Sequence, residues 1–262
     1  ITVLLVDDDD NEPDVRPYYT NTMSSLGLQF DVWDTGNTDD EPGIETLRNY
    51  DLVVWFSGAE WGGFAGPGAD AELALEQWLL EGGVLWLSSQ DYLYDRGLNA
   101  FGGAYLGVSA YDSDVGQEVV TGTGPVFGGY GTMTLTCPFN NYTDSIQVTP
   151  DAELAFIGDQ GGAGVTVEGE GWRTVFWAFP LEAVLDVDVR KSLVLTVVNW
   201  VPVPEPVSCP ADVSPDGQVN IQDLLLVIAS WGGSGAEGDV DGDGAVDVAD
   251  LLLIISSWGL CL

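Results

Sequence analysis

Apolar residues form short continuous runs in the first third of the chain, and amphipathic stretches separate them. Residues 1–6, Leu52–Phe56 and Val84–Leu87 are runs of the kind that form strands buried on both faces. Between them, Val15–Leu26 and Asp70–Glu81 repeat apolar positions with a helical period, and each is followed by glycine. Helices that alternate with continuously apolar strands predict a parallel sheet with helices on both faces.

Beyond about Gly116 the pattern changes. Short strand-like runs rich in Thr, Val and Gly continue as far as Ala178, and Asp186–Trp200 returns to a helical period. We therefore predict that the α/β domain carries an antiparallel β extension and ends on its own last helix. Alternating prolines in Val201–Val207 favour an extended spacer. The predicted organisation is an α/β domain over 1–201, a Pro-rich linker over 202–207, and a small all-α calcium-binding domain over 208–262.

The last part of the chain contains two copies of one pattern. The second copy begins at Asp239, 27 residues after the first begins at Asp212, and both continue into Leu-Leu-Leu and then Ser-Trp-Gly. A constant offset over the whole pattern indicates a tandem duplication.

The spacing within each copy is that of a calcium loop. Such a loop needs oxygen ligands at positions one, three, five, seven, nine and twelve, with position seven supplied by a backbone carbonyl and Gly at position six. Gly217 and Gly244 occupy position six. The twelve predicted ligand residues are Asp212, Ser214, Asp216, Gln218, Asn220 and Asp223 in the first copy and Asp239, Asp241, Asp243, Ala245, Asp247 and Asp250 in the second. We predict two structural Ca²⁺ ions; the alternative is a pair of acidic, turn-rich loops without ions.

Composition narrows the classes of function. The chain has 42 acidic and 6 basic residues, a net charge of −36 and no histidine. The charge argues against nucleic acid and anionic membrane surfaces as partners, and the lack of histidine removes Ser-His-Asp and Cys-His catalysis and the usual zinc sites. No stretch is long and apolar enough to be a transmembrane segment. The charge suits a secreted protein in a salty, calcium-containing medium, although an acidic proteome would explain it equally well.

The chain begins on a strand at Ile1 rather than at Met, which we interpret as the end left by removal of an export signal. Of its three cysteines, Cys209 and Cys261 bracket the repeat and are predicted to form a disulfide. Cys137 is then left over, either as a small buried apolar residue or as an intermolecular thiol. Asn141-Tyr-Thr143 has the form of a glycosylation acceptor.

Several residues of the α/β domain are candidates for chemistry, each with a plainer alternative. Asp7–Asp10 follow the first strand and could hold Ca²⁺ or Mg²⁺, or form a solvated loop. Ser89 could be a nucleophile that has lost its partners. Glu60 and Asp91, near neighbouring strand ends, could act as an acid–base pair on a glycan. Trp61 could stack on a ligand, or pack beneath its own loop.

The repeat resembles a dockerin module, and its Cys209-Pro-Ala-Asp212 start and Trp258-Gly-Leu-Cys261 end resemble the GC-type dockerin-like anchors. The resemblance implies a duplicated loop-and-helix unit that binds a cohesin domain. Cellulosomal dockerins often carry Ser-Thr at loop positions ten and eleven, where this chain has apolar and polar residues instead. The implied contact residues are Ile221, Gln222, Leu225, Val248, Ala249 and Leu252.

Residues 1–202 resemble the class I glutamine amidotransferase-like, flavodoxin-like domains of bacterial secreted proteins. Segments that carry the resemblance are Val3–Asp9, Tyr50–Gly58, Gly82–Gln90, Tyr105–Gly107 and Phe179–Glu182. Catalytic members have a Cys, served by a His, on the turn after the strand that corresponds to Val84–Leu87. This chain has Ser88-Ser89-Gln90 there and no His, so we expect no amidotransferase activity.

Together these features predict a secreted, non-catalytic assembly or surface protein. Its calcium-binding module would dock to a cohesin-like partner, or to another copy of the chain, which would give a polymer if the contact does not close. The alternative is an extracellular hydrolase of polysaccharide or peptide that the same module anchors.

Overall fold

A computed structural model of the protein describes residues 1–36, 38, 40–202, 209–233 and 238–260. Its internal contacts divide the chain into two compact units, Ile1–Pro202 and Val203–Leu262. We call them the body and the module, and describe each by itself. None of the helices in these residues is both long and apolar enough to cross a membrane.

Eleven strands of the body form one sheet. They are β1 (Val3–Asp7), β2 (Asp31–Asp34), β3 (Leu52–Phe56), β4 (Val84–Ser88), β5 (Val108–Asp112), β6 (Val119–Gly122), β7 (Thr132–Thr134), β8 (Ser145–Val148), β9 (Ala152–Gly158), β10 (Gly161–Glu168) and β11 (Arg173–Trp177). The order β2-β1-β3-β4-β11 is parallel throughout. Every residue of β1, β3 and β4 is buried, as their continuous apolar runs predict.

The antiparallel extension begins at β11. There β10 pairs with β11 and β9, and β6 and β7 continue the sheet. A branch adds β8 and β5 through β10. The prediction of a mixed α/β fold with a mainly parallel central part is therefore confirmed.

The described helices of the body are α1 (Arg16–Ser25), α2 (Ile44–Leu47), α3 (Ala69–Leu80), α4 (Tyr92–Arg96), α5 (Ala100–Ala104), α6 (Gly124–Phe127) and α7 (Val187–Trp200). Alternate residues of β1, β3, β4 and β11 face two separate cores. Leu5 and Trp86 join the core that α1 and α7 cover, whereas Leu4 and Leu85 join the core that α2 and α3 cover. Catalytic and binding groups of such a sheet lie beyond the carboxyl ends of its strands.

The module contains the helices α8 (Ile221–Ala229) and α9 (Val248–Ser256). The prediction that it is all-α is wrong, because β12 (Gln218–Val219) and β13 (Gly259–Leu260) form an antiparallel pair. This pair joins the end of the first loop to the end of the second repeat. It also holds Val219 over a small core that includes Val227 and Ile254. Two short helices alone stabilise a module this small only weakly, and the strand pairing adds to its stability.

Candidate functional site

Both loops of the repeat turn sharply at position six. Gly217 has φ +82° and Gly244 has φ +92°, a backbone conformation that side chains with a Cβ rarely adopt. The N–H of each glycine donates to the carboxylate at position one, at 2.8 Å to Asp212 Oδ2 and 3.0 Å to Asp239 Oδ2. Two loops 27 residues apart thus close on their own first residue in the same way.

The second loop brings three carboxylates together. One oxygen from each of Asp239, Asp241 and Asp243 lies within 4.8 Å of the others, and in the described parts of the chain this is the one such cluster of acidic or cysteine ligands. Asp239 Oδ1 is buried without a hydrogen-bond partner in the described structure. A buried carboxylate oxygen without a donor is costly unless a cation neutralises it, so these residues fit a hard divalent ion.

The first loop has fewer charges around the same geometry. Ser214 and Asn220 stand where the second loop has Asp241 and Asp247. The Asn220 amide nitrogen donates to Asp216 Oδ2 at 3.1 Å, and the Ser214 hydroxyl donates to Asp223 Oδ1 at 2.8 Å. These side chains offer oxygen ligands, but they add no negative charge to attract an ion.

The residues at positions nine and twelve also start the helices. Asn220 caps α8 and Asp247 caps α9, and each forms a capping box with Asp223 or Asp250 three residues later. The same side chains that would hold calcium therefore satisfy the free N–H groups at the helix start. Each loop continues directly into its helix and shares these hydrogen bonds with it, so folding of the loop and folding of the helix are coupled.

The pKa values in the loops differ between positions. Burial works to raise the pKa of Asp223, but donors from Asn220 and Ser214 outweigh it, and the pKa is lowered. The Asp247 N–H is the main reason that the pKa of Asp250 is lowered. For Asp241 the donor at Asp243 is outweighed by desolvation and neighbouring carboxylates, so its pKa is raised. Carboxylates kept ionised at position twelve suit a cation site.

The module exposes a large apolar surface that repeats with the same offset of 27 residues. Four apolar side chains of α8 and the four equivalent ones of α9 are exposed: Ile221, Leu225, Leu226 and Ile228, and Val248, Leu252, Leu253 and Ile255. Trp231 and Trp258, which follow the two helices, are 53% and 52% exposed. Gln222 is exposed as well, and Ala249 is half-buried. All six predicted contact residues thus reach the surface, on two equivalent helices.

The two described cysteines differ in their bonding. Cys209 is disulfide-bonded and packs against the core of the module. Cys137 is a free thiol packed against the body core, and burial raises its pKa to about 12. Cys261 lies outside the described residues, so the pairing of Cys209 with Cys261 stays a prediction. The thiol of Cys137 is too weakly acidic to be a nucleophile at neutral pH.

Asp7–Asp10 do not form a solvated loop, and that interpretation is wrong. Asp7, Asp8 and Asp9 are at most 5% exposed. Asp8 accepts hydrogen bonds from the Trp55 indole and the Gly66 N–H, both at 3.0 Å, and Asp9 accepts the Val15 N–H at 2.6 Å. These carboxylates fasten the loops above the sheet. Within the described residues, no three of their oxygens converge as those of the second calcium loop do.

Ser89 is not placed as a nucleophile. Its hydroxyl is buried, accepts the Tyr92 N–H at 3.1 Å and is 2.6 Å from the Ser57 hydroxyl, which donates to it. Burial is the main cause that raises the pKa of both Glu60 and Asp91 to about 7. Glu60 follows β3 and Asp91 follows β4, as predicted, and Asp91 lines a cavity.

Sequence reasoning missed a buried polar cluster beside this edge. The Tyr19 hydroxyl donates to Glu182 Oε2 at 2.8 Å and lies 3.2 Å from the Ser88 hydroxyl, and Glu182 is fully buried. Burial raises the pKa of Glu182 to about 7. Tyr19 and Glu182 lie 163 positions apart along the chain, and no local pattern signals their meeting.

No family model and no curated protein sequence matches the chain. Among solved structures, two proteins of Salmonella typhimurium named as cytoplasmic proteins align with TM-scores of 0.55 and 0.57. They are 12% and 10% identical to this chain, over 77% and 78% of its length and 99% and 100% of theirs. A GMP synthase-like protein of Thermoplasma acidophilum aligns with a TM-score of 0.50, at 12% identity, over 76% of this chain and 92% of its own.

These likenesses show the fold of the chain, a class I glutamine amidotransferase-like, flavodoxin-like α/β fold with a mainly parallel sheet. None of the three is named as a dockerin, so the dockerin resemblance stays a proposal. The prediction of a secreted protein is corrected: the first two neighbours are named as cytoplasmic, which contradicts it, and we withdraw it. At this level of identity the names describe those proteins and do not assign a compartment to this one.

Proposed function

We propose that the protein is a non-catalytic assembly component whose module binds two Ca²⁺ ions and then docks to a partner. The observation that carries the proposal is the second loop, where three carboxylates converge and one of them, Asp239, has a buried oxygen without a donor in the described structure. The equivalent loop of the first repeat, with the same glycine turn, supports a second ion.

Calcium would supply positive charge that offsets repulsion among the loop carboxylates. The chain supplies the rest: position one closes the glycine turn, and position twelve ties the start of the loop to the start of its helix. Because isolated helices of nine residues are marginal in water, α8 and α9 depend on such restraints and on their small shared core. Ion binding and folding of the module should then be one process.

Docking is supported by the ten apolar side chains that the module leaves exposed on and after its two helices. A surface of that kind on a small unit is typical of a protein–protein contact. By resemblance the partner is a cohesin-like domain; a second copy of this chain is the other candidate. Ser89 does not support the hydrolase alternative, because its hydroxyl is buried and accepts a hydrogen bond from the Tyr92 N–H.

Isothermal calorimetry on the full chain, freed of metal by chelator, tests the proposal. We expect two Ca²⁺ ions per chain, and weaker binding at one of the two sites in the Asp243→Asn variant, because the converging cluster loses a negative charge. Asp151→Asn, an exposed acid in a turn of the body, is the matched control and should bind both ions as wild type does. Absence of binding, or equal loss in both variants, would refute the calcium site.

A further inference from the structure

A second candidate site lies in the body, near the carboxyl ends of β3 and β4. It is a cavity of about 240 Å³ lined by Trp61, Asp91, Tyr94, Asp114 and Tyr142. The three aromatic side chains are 66%, 51% and 46% exposed, in that order. Aromatic side chains that stay exposed around a cavity suit stacking against a ligand. Here three of them are left in the open around two carboxylates.

The loops that present the rings are held in place from below. Asp95 accepts the N–H groups of Gly62, Phe64 and Ala65 at 3.0–3.1 Å, which ties the loop of Trp61 to helix α4. Tyr94 belongs to that same helix. The cavity wall on this side is therefore built on a helix and does not depend on a ligand for its shape.

Gln90 fixes the opposite wall. Its side chain is 1% exposed, accepts the Tyr142 N–H at 3.1 Å and donates to Asp91 Oδ2 at 2.9 Å. Asp91 is 4% exposed. A nearly buried carboxylate thus lines the cavity, and a hydrogen-bond donor or a cation bound there would stabilise its charged form.

Negative charge at this cavity is not neutralised from within the protein. Among the described residues no Lys or Arg lines it, and Arg16, Arg48, Arg96 and Arg173 pair with carboxylates outside it. Burial, with the carboxylates of Asp114 and Asp95, raises the pKa of Asp91 to about 7. Behind the cavity, Asp144 accepts the Asp114 N–H at 3.0 Å, and its Oδ2 is buried without a partner in the described structure.

Three rings and an unneutralised carboxylate pair suit one ligand class. We propose that this cavity binds an organic cation, an ammonium or methylated ammonium group, against the faces of Trp61, Tyr94 and Tyr142 and beside Asp91 and Asp114. Cation–π attraction and charge pairing act together at such a site. A neutral sugar would stack on the rings but would leave the carboxylates unneutralised. A small metal ion is disfavoured, because in the described residues these carboxylates do not converge as those of the calcium loop do.

The probe for a free ligand is choline, and its neutral isostere 3,3-dimethylbutan-1-ol has the same shape without the charge. By calorimetry on the full chain at constant ionic strength, we expect choline to bind at least about 10-fold more tightly than the isostere. This comparison uses the wild-type protein, so it does not depend on any variant folding. A peptide containing trimethyllysine, run beside choline, shows whether the cation can come from a protein side chain.

Two variants test the residues. Asp91→Asn and Trp61→Phe should each weaken choline binding, by about 10-fold for the lost charge and by less for the smaller ring. Trp231→Phe, which changes an exposed Trp of the module, is the matched control and should bind as wild type does. Equal affinity for choline and the isostere, binding of a neutral oligosaccharide but not of choline, or no binding of any probe would overturn the proposal. These outcomes are independent of calcium binding by the module, since the titrations are run with chelator present.

Discussion

Some carboxylates of the module have two roles, one in hydrogen bonding and one in the proposed binding of calcium. Asp223 and Asp250 accept the N–H groups that close their loops and start their helices. In each carboxylate Oδ1 accepts two hydrogen bonds, whereas Oδ2 accepts one and keeps a further lone pair for an ion. The identity of the residues at positions three and nine then decides how much charge surrounds that ion. In the first loop both are neutral, and in the second both are Asp.

This difference predicts unequal sites. We expect the first loop to bind Ca²⁺ about 10-fold or more weakly than the second, because fewer charged ligands lower calcium affinity. Asp239→Ala leaves the first site to be measured alone, and Asp212→Ala leaves the second. Equal dissociation constants in the two variants would contradict the assignment.

The buried carboxylate of Asp144 predicts that the stability of the body depends on pH. Burial, as the main cause, raises its pKa to about 8, so the folded state binds this proton more tightly than the unfolded state does. Its contribution to stability is full below about pH 4, where Asp is protonated in both states, and is lost as the pH rises through about 8. At higher pH the fold must bury the charge.

Asp144→Asn removes that charge. We expect the variant to gain about 1–3 kcal/mol in free energy of unfolding over wild type at about pH 9, and little or nothing at about pH 5. Urea denaturation at the two pH values, with chelator present, measures the difference. Asp151→Asn, an exposed acid, should show no such dependence, and a pH-independent effect of Asp144→Asn would show that its buried charge is not the cause.

Elements with a strong local pattern could be predicted from the sequence. Strand β3 has the predicted bounds, and α7 begins one residue after the predicted start, at the N-cap Asp186. Helices α4, α5 and α6 have only four or five residues each and show no full period, so pattern reasoning missed them.

Candidate sites could likewise be predicted from the sequence only where their residues are close together along the chain. The calcium loops are local in sequence, so twelve residues with a fixed spacing suffice to predict them. The cavity in the body is assembled from four separate loops or helices. The sequence leaves open whether its Trp61 stacks on a ligand or packs beneath its own loop, and in the structure this side chain is exposed. Burial of Asp7–Asp9 also depends on partners such as Trp55 and Gly66, which are distant in sequence.

We predict that the exposed leucines of α8 and α9 contact the docking partner. Leu225 and Leu252 occupy equivalent positions and are 56% and 58% exposed. We expect Leu225→Glu with Leu252→Glu to weaken docking by more than about 2 kcal/mol, since each burial of a leucine is worth about 1.5–3 kcal/mol. Sedimentation velocity in Ca²⁺, for the chain alone and with a cohesin domain, measures the association.

The control for this variant is Leu73→Glu, which changes an equally exposed leucine on α3 of the body. It should leave association unchanged. Association that survives the double substitution would place the contact elsewhere, and a chain that binds neither itself nor a cohesin domain would refute docking through this surface.

At the scale of the whole molecule, two units of different character share one chain. The body of Ile1–Pro202 has two apolar cores on a large sheet, whereas the module has one small core, two short helices and dense carboxylates. A net charge of −36 opposes compact structure unless cations are bound, and the module has the least apolar burial to offset it. Calcium should therefore matter to the module and hardly at all to the body.

Hydrogen–deuterium exchange on the full chain, in Ca²⁺ and in EDTA, tests this most directly. We predict that amides of α8 and α9 are protected in Ca²⁺ and lose most of that protection in EDTA. Amides of β1, β3 and β4 serve as the internal control and should exchange equally slowly in both. Unchanged protection of α8 and α9 in EDTA would contradict the claim that calcium holds the module in its docking state.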